Sequence, residues 1–388
     1  MRQKSFCIFT TETLPTLAGD GRNAFLWARI FVEKGFDVQL ISLNPNGKLL
    51  PVEVIDSVKI KRILYYTRNK FAKLIYRLRL LNHLFFVNKK VWVVYGAMPG
   101  HLLILFIGRI LRKKVVFRST LWGFDNASEL VTNFKRVKRY VYRKSSVYWA
   151  LNSAFVTDWK LNVNSKMPIY LSSQGVDIER FSINEEKSAL RKKLGLPEDT
   201  VIVLMVGHLI ERKGFPWVFE WLSEVNGSFV LVHLGNFEAA DWDMVSAQNA
   251  AMLLNRQKGE AVLSNRLILM GGNISAVEEV YKASDIFLLA SENEGYPPNS
   301  VNEAMAAGLP IVSKNIVGAS DYIQNNDNGF LFETKKEFIG CLSRLVNDEK
   351  LRLKMGQMSL SKTILYNSIQ SVTDEFIRYL TIKGALSE

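Results

Sequence analysis

The chain repeats one pattern along its length: a short run of apolar residues, a turn, and a stretch with helical periodicity. Apolar runs that alternate with helices are typical of parallel strands buried on both faces of a sheet. The pattern therefore predicts an α/β fold in which parallel sheets carry helices on both faces. The predicted strands lie at residues 6–9, 38–42, 91–95, 115–117 and 147–150 in the first half, and at 201–206, 229–232, 267–270 and 286–290 in the second.

The length of 388 residues favours two domains, because a single hydrophobic core seldom serves a chain of this size. Since 48% of the residues are hydrophobic, both domains can bury a substantial core. The two cysteines, Cys7 and Cys341, lie far apart and have no metal-binding or redox spacing. With no secretory signal evident, we expect the protein in the reducing cytoplasm.

Positive charge is concentrated in one region. Residues 57–144 hold 21 lysines and arginines but only two acidic residues, Asp125 and Glu129. Such a region favours an anionic membrane surface or an anionic acceptor. Solvated surface charge is the alternative, and we expect no nucleic-acid partner because no recognition motif accompanies the charge.

The uncharged residues 91–108 approach the length of a membrane span, but two glycines and a proline at 96–100 interrupt them. This predicts a strand, a loop and a helix. We therefore expect peripheral attachment at the inner face of the membrane, with no transmembrane helix.

The run from Glu294 to Pro310, EGYPPNSVNEAMAAGLP, has the features of an anion-binding turn. Two carboxylates, Glu294 and Glu303, flank a turn that opens a helix near Asn299. Backbone N–H groups and the positive end of the helix dipole favour an anion at such a helix start. The carboxylates can accept hydrogen bonds from hydroxyl groups of the molecule that carries the anion. A phosphate flanked by polyols is the pattern of a sugar nucleotide.

This run resembles the donor-site motif of the retaining glycosyltransferases with the GT-B fold, the group 1 or family 4 class. Residues 303–310 fit that family's E-A-M-A-x-G-x-P segment, although eight residues separate Glu294 from Glu303 where the family has seven. The resemblance implies that Glu303 holds the ribose hydroxyls and that Glu294 faces the transferred sugar. The diphosphate is expected to bind at the turn and helix start formed by Tyr296, Pro297, Pro298, Asn299 and Ser300. The residue that this chain has in addition to the family motif is most simply one of the two prolines.

The segment GHLIERKG, residues 207–214, resembles the loop that follows a strand in the same family. The resemblance implies that Lys213 neutralises the diphosphate as the nucleotide leaves, where preorganised charge acts most strongly. Gly207 and His208 are placed at the donor. Because His208 stands where the family has an arginine, we expect diphosphate binding to depend more on Arg212. A solvated Arg–Lys pair at a helix start is the alternative.

Three shorter segments of the second half also resemble the family. GASD at 318–321 resembles a G-G-x-x-E loop, and Asp321 either contacts the sugar or caps a short helix. NGFL at 328–331 matches a structural turn, and SQGVDIERF at 173–181 resembles the segment between the domains. The residues around Glu303 also allow a second interpretation, an S-x-x-E capping box with Ser300.

In the first half, LAGDGR at 17–22 stands where the family has a glycine-rich loop that approaches the donor phosphate or the acceptor. A plain glycine turn is the alternative. WGFD at 122–125 resembles the family's H-G-x-D, with Trp122 in place of the histidine, so Asp125 is the nearest catalytic candidate. The residues of the predicted acceptor or phosphate loop are Gly19, Asp20, Gly21 and Arg22.

The sequence DWD at 241–243 superficially matches the D-x-D metal motif of the other major glycosyltransferase fold. No apolar strand leads into it, and no other His, Cys and Asp cluster has metal-binding spacing. We therefore expect no metal and no other cofactor.

The resemblance implies two facing Rossmann-like domains. Residues 1–170 are expected to bind the acceptor and residues 171–365 the nucleotide sugar, and a helix in 366–388 is expected to cross back to the first domain. The predicted function is metal-independent, retaining transfer of a hexosyl group from a nucleotide sugar to a glycan or polyprenyl-diphosphate-linked acceptor, in cell-surface polysaccharide or lipopolysaccharide biosynthesis. Two alternatives remain open: a nucleotide-sugar epimerase on the same fold, and a catalytically silent nucleotide-sugar-binding protein.

Overall fold

The chain forms two compact units. One unit joins Met1–Gly175 to Ile369–Glu388, and the other is Val176–Ser368. The sequence-based boundaries at 171 and 366 fall within a few residues of these breaks. The computed structural model describes residues 4–15, 19–45, 47–66, 70–208, 211–235, 267–270, 276–384 and 386.

The first unit contains an eight-stranded sheet with the strand order β3-β4-β2-β1-β5-β6-β7-β8. All neighbouring strands run parallel except β3 and β4, which are antiparallel. The strands are β1 Ser5–Phe9, β2 Asp37–Pro45, β3 Val52–Ile55, β4 Val58–Tyr65, β5 Val91–Tyr95, β6 Lys114–Arg118, β7 Val147–Ala150 and β8 Ile169–Leu171. The helices, numbered along the described residues, are α1 Gly19–Glu33, α2 Lys70–Phe86, α3 His101–Ile110, α4 Ala127–Leu130, α5 Lys135–Tyr142 and α6 Ser153–Asn162.

Helices cover both faces of this sheet because its central strands are apolar on both faces. In β1, Phe6 and Ile8 point to one face and Cys7 and Phe9 to the other, as the two-residue period of a strand requires. Helices α2, α3, α5 and α6 pack on the Cys7 face. The first helix and the last helix of the chain, which is α14 Ile369–Ile382, pack on the Phe6 face. The last helix thus belongs to the first unit.

The second unit contains a six-stranded parallel sheet with the order β11-β10-β9-β12-β13-β14. Its strands are β9 Val201–Val206, β10 Phe229–Leu234, β11 Leu267–Met270, β12 Ile286–Leu289, β13 Ile311–Lys314 and β14 Gly329–Phe332. Its helices are α7 Ile178–Phe181, α8 Lys187–Leu194, α9 Phe215–Leu222, α10 Val277–Ala283, α11 Asn299–Ala306, α12 Lys335–Asn347 and α13 Glu349–Lys362. Two apolar cores, one on each face of the sheet, hold these elements together.

Every apolar run predicted as a strand forms a strand, which confirms the α/β fold. Residues 91–108 form a strand, a loop and the start of a helix, as predicted. Among the described residues, no helix is both long and apolar enough to span a bilayer.

Candidate active site

The loop after β9 carries the predicted diphosphate-binding cations. It passes through Gly207, whose carbonyl oxygen accepts a 3.0 Å hydrogen bond from the ring of His233 on β10. Arg212 and Lys213 lie in the one-turn helix Glu211–Lys213, directly before α9. Gly214 separates this turn from α9 at a φ of +80°, and a Cβ there would lie 2.2 Å from the carbonyl oxygen of Ala290. The position therefore requires glycine, and the cationic turn packs against the end of β12.

Hydrogen bonds join this turn to the loop that follows β12. The carbonyl oxygen of Arg212 accepts a 2.9 Å bond from the backbone N–H of Glu292, and Nη1 of Arg212 donates to the carbonyl oxygen of Asn293 at 2.9 Å. These bonds hold the guanidinium beside the first residue of the predicted donor motif.

Glu294 lies between the two cations. Its Oε1 is in contact with Nζ of Lys213 and lies 3.3 Å from Nη1 of Arg212. The residue is 7% exposed. Burial alone raises the pKa of Glu294, but the charges of Lys213 and Arg212 outweigh burial and hold it below its usual value. The predicted residues Glu294, Lys213 and Arg212 therefore form one charged cluster.

His208 contributes polarity but little charge to this cluster. Burial, together with the nearby charges of Lys213 and Arg212, lowers the pKa of its imidazole. The ring is therefore neutral at physiological pH. His208 therefore supplies less charge than the arginine of the family motif, and Arg212 remains beside the cluster as a second cation.

The turn after Glu294 leads into α11. The buried Tyr296 hydroxyl donates to Oγ of Ser313 at 3.3 Å, which fixes the start of the turn against β13. Pro297 and Pro298 follow, and α11 begins at Asn299, as predicted. The N-cap of α11 is Pro298, so Ser300 already lies within the first turn. The capping-box interpretation, which needs Ser300 at the N-cap, is therefore wrong.

Glu303 is half-buried on α11 and is held from a neighbouring helix. Its Oε2 accepts a 2.8 Å hydrogen bond from the hydroxyl of Tyr281 on α10, whose ring is fully buried. Asp321 is exposed at the end of the short helix Ala319–Asp321 after β13. Asn328 has the structural role predicted for its turn, since its side chain bonds the backbone of Gln324 and Tyr322.

In the first unit, the predicted glycine-rich loop is partly helical. Gly19, Asp20, Gly21 and Arg22 form the first turn of α1, which corrects their assignment to a loop. Gly21 permits a close backbone approach in this turn, because a Cβ there would lie 2.3 Å from the carbonyl oxygen of Glu12. Burial raises the pKa of Asp20 despite the hydrogen bond from the N–H of Gly21 and the charge of Arg118.

Asp125 does not have the surroundings of a catalytic group. It is fully buried, and its carboxylate accepts bonds of 2.7–2.8 Å from Thr120 N, Thr120 Oγ1 and Leu121 N. Burial nevertheless raises its pKa to about 6. Both oxygens of Asp125 therefore hold its own loop, which favours a structural role over the predicted catalytic one. Trp122 packs edge-on against Phe155, at a ring distance of 5.2 Å.

A buried arginine at the end of β6, Arg118, was not predicted from the sequence. Arg118 lies over the rings of Tyr95 and Trp149, at 4.3 and 4.6 Å from their centroids. Its guanidinium donates to Asn23 of α1 at 3.0 Å and to the side chain of Gln174 at 3.1 Å. A charged residue directly after an apolar run, such as 115–117, was the available signal. Tyr281 and His233 were missed as well. His233 sits in an otherwise apolar strand, and Tyr281 sits in a helix where an aromatic residue is ordinarily part of the core.

Asp241 and Asp243 of the D-x-D sequence, where we expect no metal, lie outside the described residues. Within the described ranges, no group of three His, Cys, Asp or Glu side chains is arranged to hold a metal ion.

Comparison with known proteins gives the same assignment for the second unit. Residues 186–360 match the family described as "Glycosyl transferases group 1". The capsular polysaccharide biosynthesis glycosyltransferase CapM of Staphylococcus aureus is 22% identical over 97% of this chain and 98% of its own length. The Escherichia coli UDP-Gal:alpha-D-GlcNAc-diphosphoundecaprenol alpha-1,3-galactosyltransferase is 30% identical, over 48% of this chain and 47% of its own length.

The fold is shared with solved structures. Anabaena Alr3699/HepE, determined in complex with UDP and glucose, superposes with a TM-score of 0.77 over 98% of this chain and 100% of that one, at 15% identity. By the family match, residues 186–360 belong to the group 1 glycosyltransferases, and the chain as a whole has the GT-B fold.

Proposed function

We propose that this protein transfers a hexosyl group from a nucleotide sugar to a hydroxyl group of a glycan or polyprenyl-diphosphate-linked acceptor, with retention of anomeric configuration. The observation that carries the proposal is the contact of Lys213 with Glu294, which opens the turn that leads into α11. A cation and a carboxylate are the two groups that a sugar diphosphate needs, and the turn that Glu294 opens ends at the start of a helix, where backbone N–H groups favour an anion.

Each residue of the charged cluster has a role in the proposed donor site. Lys213 and Arg212 neutralise the diphosphate, together with backbone groups at the start of α11. Glu303, held by Tyr281, accepts hydrogen bonds from the ribose hydroxyls. Glu294 accepts a hydrogen bond from a hydroxyl of the transferred sugar. Its low pKa keeps it ionised, and therefore an acceptor, at physiological pH.

The proposed chemistry is substitution on one face of the sugar. The bond between the anomeric carbon and the phosphate oxygen breaks while the acceptor oxygen bonds to the same carbon from the same side. The acceptor proton passes to the departing phosphate oxygen, so no side chain has to act as a base. Negative charge grows on the leaving diphosphate, where Lys213 and Arg212 stabilise it. We propose that no metal ion takes part.

Two of the relatives support the acceptor class. The Escherichia coli relative is named for a sugar linked to diphosphoundecaprenol, and CapM for capsular polysaccharide biosynthesis. The excess of basic residues between 57 and 144 suits an anionic acceptor of this kind. We therefore assign the acceptor to the first unit, place the protein in cell-surface polysaccharide synthesis, and propose peripheral contact with the inner face of the membrane.

A transfer assay tests the proposal. The protein is incubated with UDP-, GDP-, ADP- and dTDP-sugars and a polyprenyl-diphosphate-linked sugar, with and without EDTA. We expect one donor base to give product, detected by mass spectrometry, with the anomeric configuration of the donor by NMR and the same rate in EDTA. Lys213→Met should abolish transfer, whereas Lys314→Met, which removes a lysine paired with Glu292, should not.

The outcomes separate the alternatives. A new nucleotide sugar formed without acceptor would indicate an epimerase instead. Donor binding without any product, across the acceptor panel, would indicate a silent binding protein. Inversion of configuration would refute the proposed mechanism.

A further inference from the structure

The outer surface of three helices in the first unit carries large apolar side chains in solvent. On α2, Leu74 and Leu78 are four residues apart and Phe85 follows seven later, so they share one face of the helix. The opposite face of α2 packs into the core through Tyr76, among others. The exposed apolar side chains of the three helices are Phe71, Leu74, Leu78, Phe85 and Phe86 on α2, Phe106 and Ile110 on α3, and Val137 and Tyr140 on α5, with Phe134 directly before α5.

These three helices form one continuous layer. The hydroxyl of Tyr76 on α2 donates to the carbonyl oxygen of Pro99, just before α3, at 2.7 Å. The ring of His101, the first residue of α3, is 2.8 Å from the hydroxyl of Tyr142 at the end of α5. The three helices are therefore adjacent on one side of the sheet, and we call the outward surface of this layer the α2–α3–α5 face.

The helices on the other side of the same sheet differ. Among the described residues of α1 and α14, Ile382 in the last turn of α14 is the one large apolar residue with an exposed side chain. Both helix layers cover the same sheet, one on each face. The apolar exposure of the α2–α3–α5 face is therefore a property of that face and is not general to the unit.

The charge of the face is of one sign. None of α2, α3 and α5 contains an aspartate or glutamate. Exposed basic side chains flank the apolar ones at Lys73, Arg77, Arg79, Arg109, Lys135 and Arg136. Apolar side chains bordered by cations are complementary to a bilayer surface that has an apolar interior beneath anionic head groups.

Phe134, directly before α5, exposes its ring from an unfavourable backbone conformation. Its backbone φ is +56°, a left-handed conformation that is unfavourable for an aromatic residue, and its side chain is 82% exposed. The fold thus holds a large apolar ring outward at the start of α5, beside Lys135 and Arg136.

We propose that the α2–α3–α5 face lies on an anionic lipid bilayer. Its apolar side chains enter the head-group region, and its arginines and lysines meet the lipid phosphates. This proposal rests on the proposed function, because a lipid-linked acceptor is presented at such a membrane surface. The contact is made by this one face, and insertion of its apolar side chains contributes to binding in addition to the positive charge.

Co-sedimentation with vesicles tests the proposal, with phosphatidylcholine alone and with phosphatidylcholine mixed with phosphatidylglycerol. One variant combines Leu74→Gln, Leu78→Gln and Phe85→Gln, which are exposed positions where glutamine keeps helix propensity. A second combines Arg77→Gln, Arg79→Gln and Arg136→Gln. The controls are Ile382→Gln and Arg378→Gln, exposed residues on α14.

We expect the wild type to bind the mixed vesicles. The apolar variant should bind them about tenfold more weakly or worse at low and at high salt, because apolar insertion is not screened. The arginine variant should lose about tenfold at low salt and less at high salt, where screening already weakens the wild type. Both controls should bind as the wild type does. Hydrogen exchange on vesicles should slow in residues 70–86, 101–110 and 134–144.

Unchanged vesicle binding by the apolar variant, or protection confined to other segments, would overturn the proposal. So would a wild-type dimer that this variant converts to a monomer, because the face would then belong to a second copy of the chain. Thermal stabilisation by a nucleotide sugar should be the same in wild type and variants. A failure of every donor to stabilise the wild type would count against the proposed function and leave the vesicle result standing.

Discussion

The hydroxyl of Tyr281 donates a 2.8 Å hydrogen bond to Oε2 of Glu303. Tyr281 is fully buried on α10, with its ring 5.6 Å from that of Phe181 and 6.0 Å from that of Phe287. The core of the second unit thus fixes the orientation of a half-buried carboxylate on α11. A carboxylate oriented before the ligand arrives loses less freedom on binding.

Tyr281→Phe should therefore weaken donor binding without unfolding the protein. The variant keeps the buried ring and loses one hydrogen bond to a charged group, which we expect to raise the KM for the donor about fivefold to tenfold with a smaller change in kcat. Steady-state kinetics measure this. Tyr170→Phe is the control, because it removes a buried hydroxyl that donates to Val372 in the first unit. Equal KM values in the two variants would contradict a positioning role for Tyr281.

Glu294→Gln should separate nucleotide binding from transfer. The change frees Lys213 and Arg212 from their carboxylate, so we expect nucleoside diphosphates to bind as well as to the wild type or better. Transfer should fall about 100-fold, because the hydrogen bond to the sugar weakens. Calorimetry and the transfer assay measure the two effects.

The matched control is Glu292→Gln, two residues away, which pairs with Lys314 at 2.5 Å and is half-exposed. It should leave nucleotide binding and transfer unchanged.

The contribution of Glu294 to the free energy of unfolding depends on pH in a predictable direction. Because its folded pKa is below the usual value, the contribution is present above pH 4.5 and is lost as the pH falls through the lowered pKa. Parallel acid unfolding of wild type and Glu294→Gln would argue against the ion pair.

Gly214→Ala should displace the turn that carries the cations. The new Cβ would lie 2.2 Å from the carbonyl oxygen of Ala290, in addition to the cost of φ +80°. We expect a loss of more than about 2 kcal/mol in the free energy of unfolding, together with weaker donor binding. Gly195→Ala is the control, since Gly195 has a φ of +67° and nothing within 4 Å of a Cβ. It should cost about 1 kcal/mol and leave donor binding intact. Urea unfolding measures the difference, and equal losses would contradict the close contact.

Asp125→Asn should be tolerated, because Asp125 holds a loop. An asparagine Oδ1 can accept from Thr120 N and Leu121 N. Its Nδ2 takes the place of the oxygen that Thr120 N also approaches at 2.8 Å, and it can donate to Thr120 Oγ1. We expect transfer within about threefold of wild type, whereas a catalytic group would cost about 100-fold or more. Asp125→Ala leaves the buried N–H groups without an acceptor and should cost about 2 kcal/mol or more.

The pH dependence gives a second test of Asp125. Since burial raises its folded pKa to about 6, its contribution is present below the usual pKa of 3.8 and is lost as the pH rises through 6. Relative to Asp125→Asn, the wild type should lose about 2 kcal/mol of unfolding free energy between pH 4 and pH 7. Urea unfolding at four pH values measures this, and identical profiles would exclude the raised pKa.

The strands that have a local pattern of apolar residues were predicted from the sequence. Runs such as 201–206 are apolar at every position because both faces of the sheet are covered, so their strands were identified. Strand β3 was missed because Val52 and Val54 face solvent on an edge strand. The contact between Tyr281 and Glu303 depends on how α10 packs beside α11, and the burial of Arg118 depends on the rings of Tyr95 and Trp149. A single sequence can draw attention to a residue such as Arg118, but it does not predict which distant residues contact it.

The most direct test of the donor site is thermal unfolding of the wild type and Glu303→Ala with UDP-, GDP-, ADP- and dTDP-sugars. Glu279→Ala, which removes another glutamate of the second unit, is the control. A donor at 100 times its dissociation constant should stabilise the wild type and the control by about 2.7 kcal/mol and Glu303→Ala far less. No stabilisation of the wild type by any donor, or equal stabilisation of Glu303→Ala, would contradict a donor site at the start of α11.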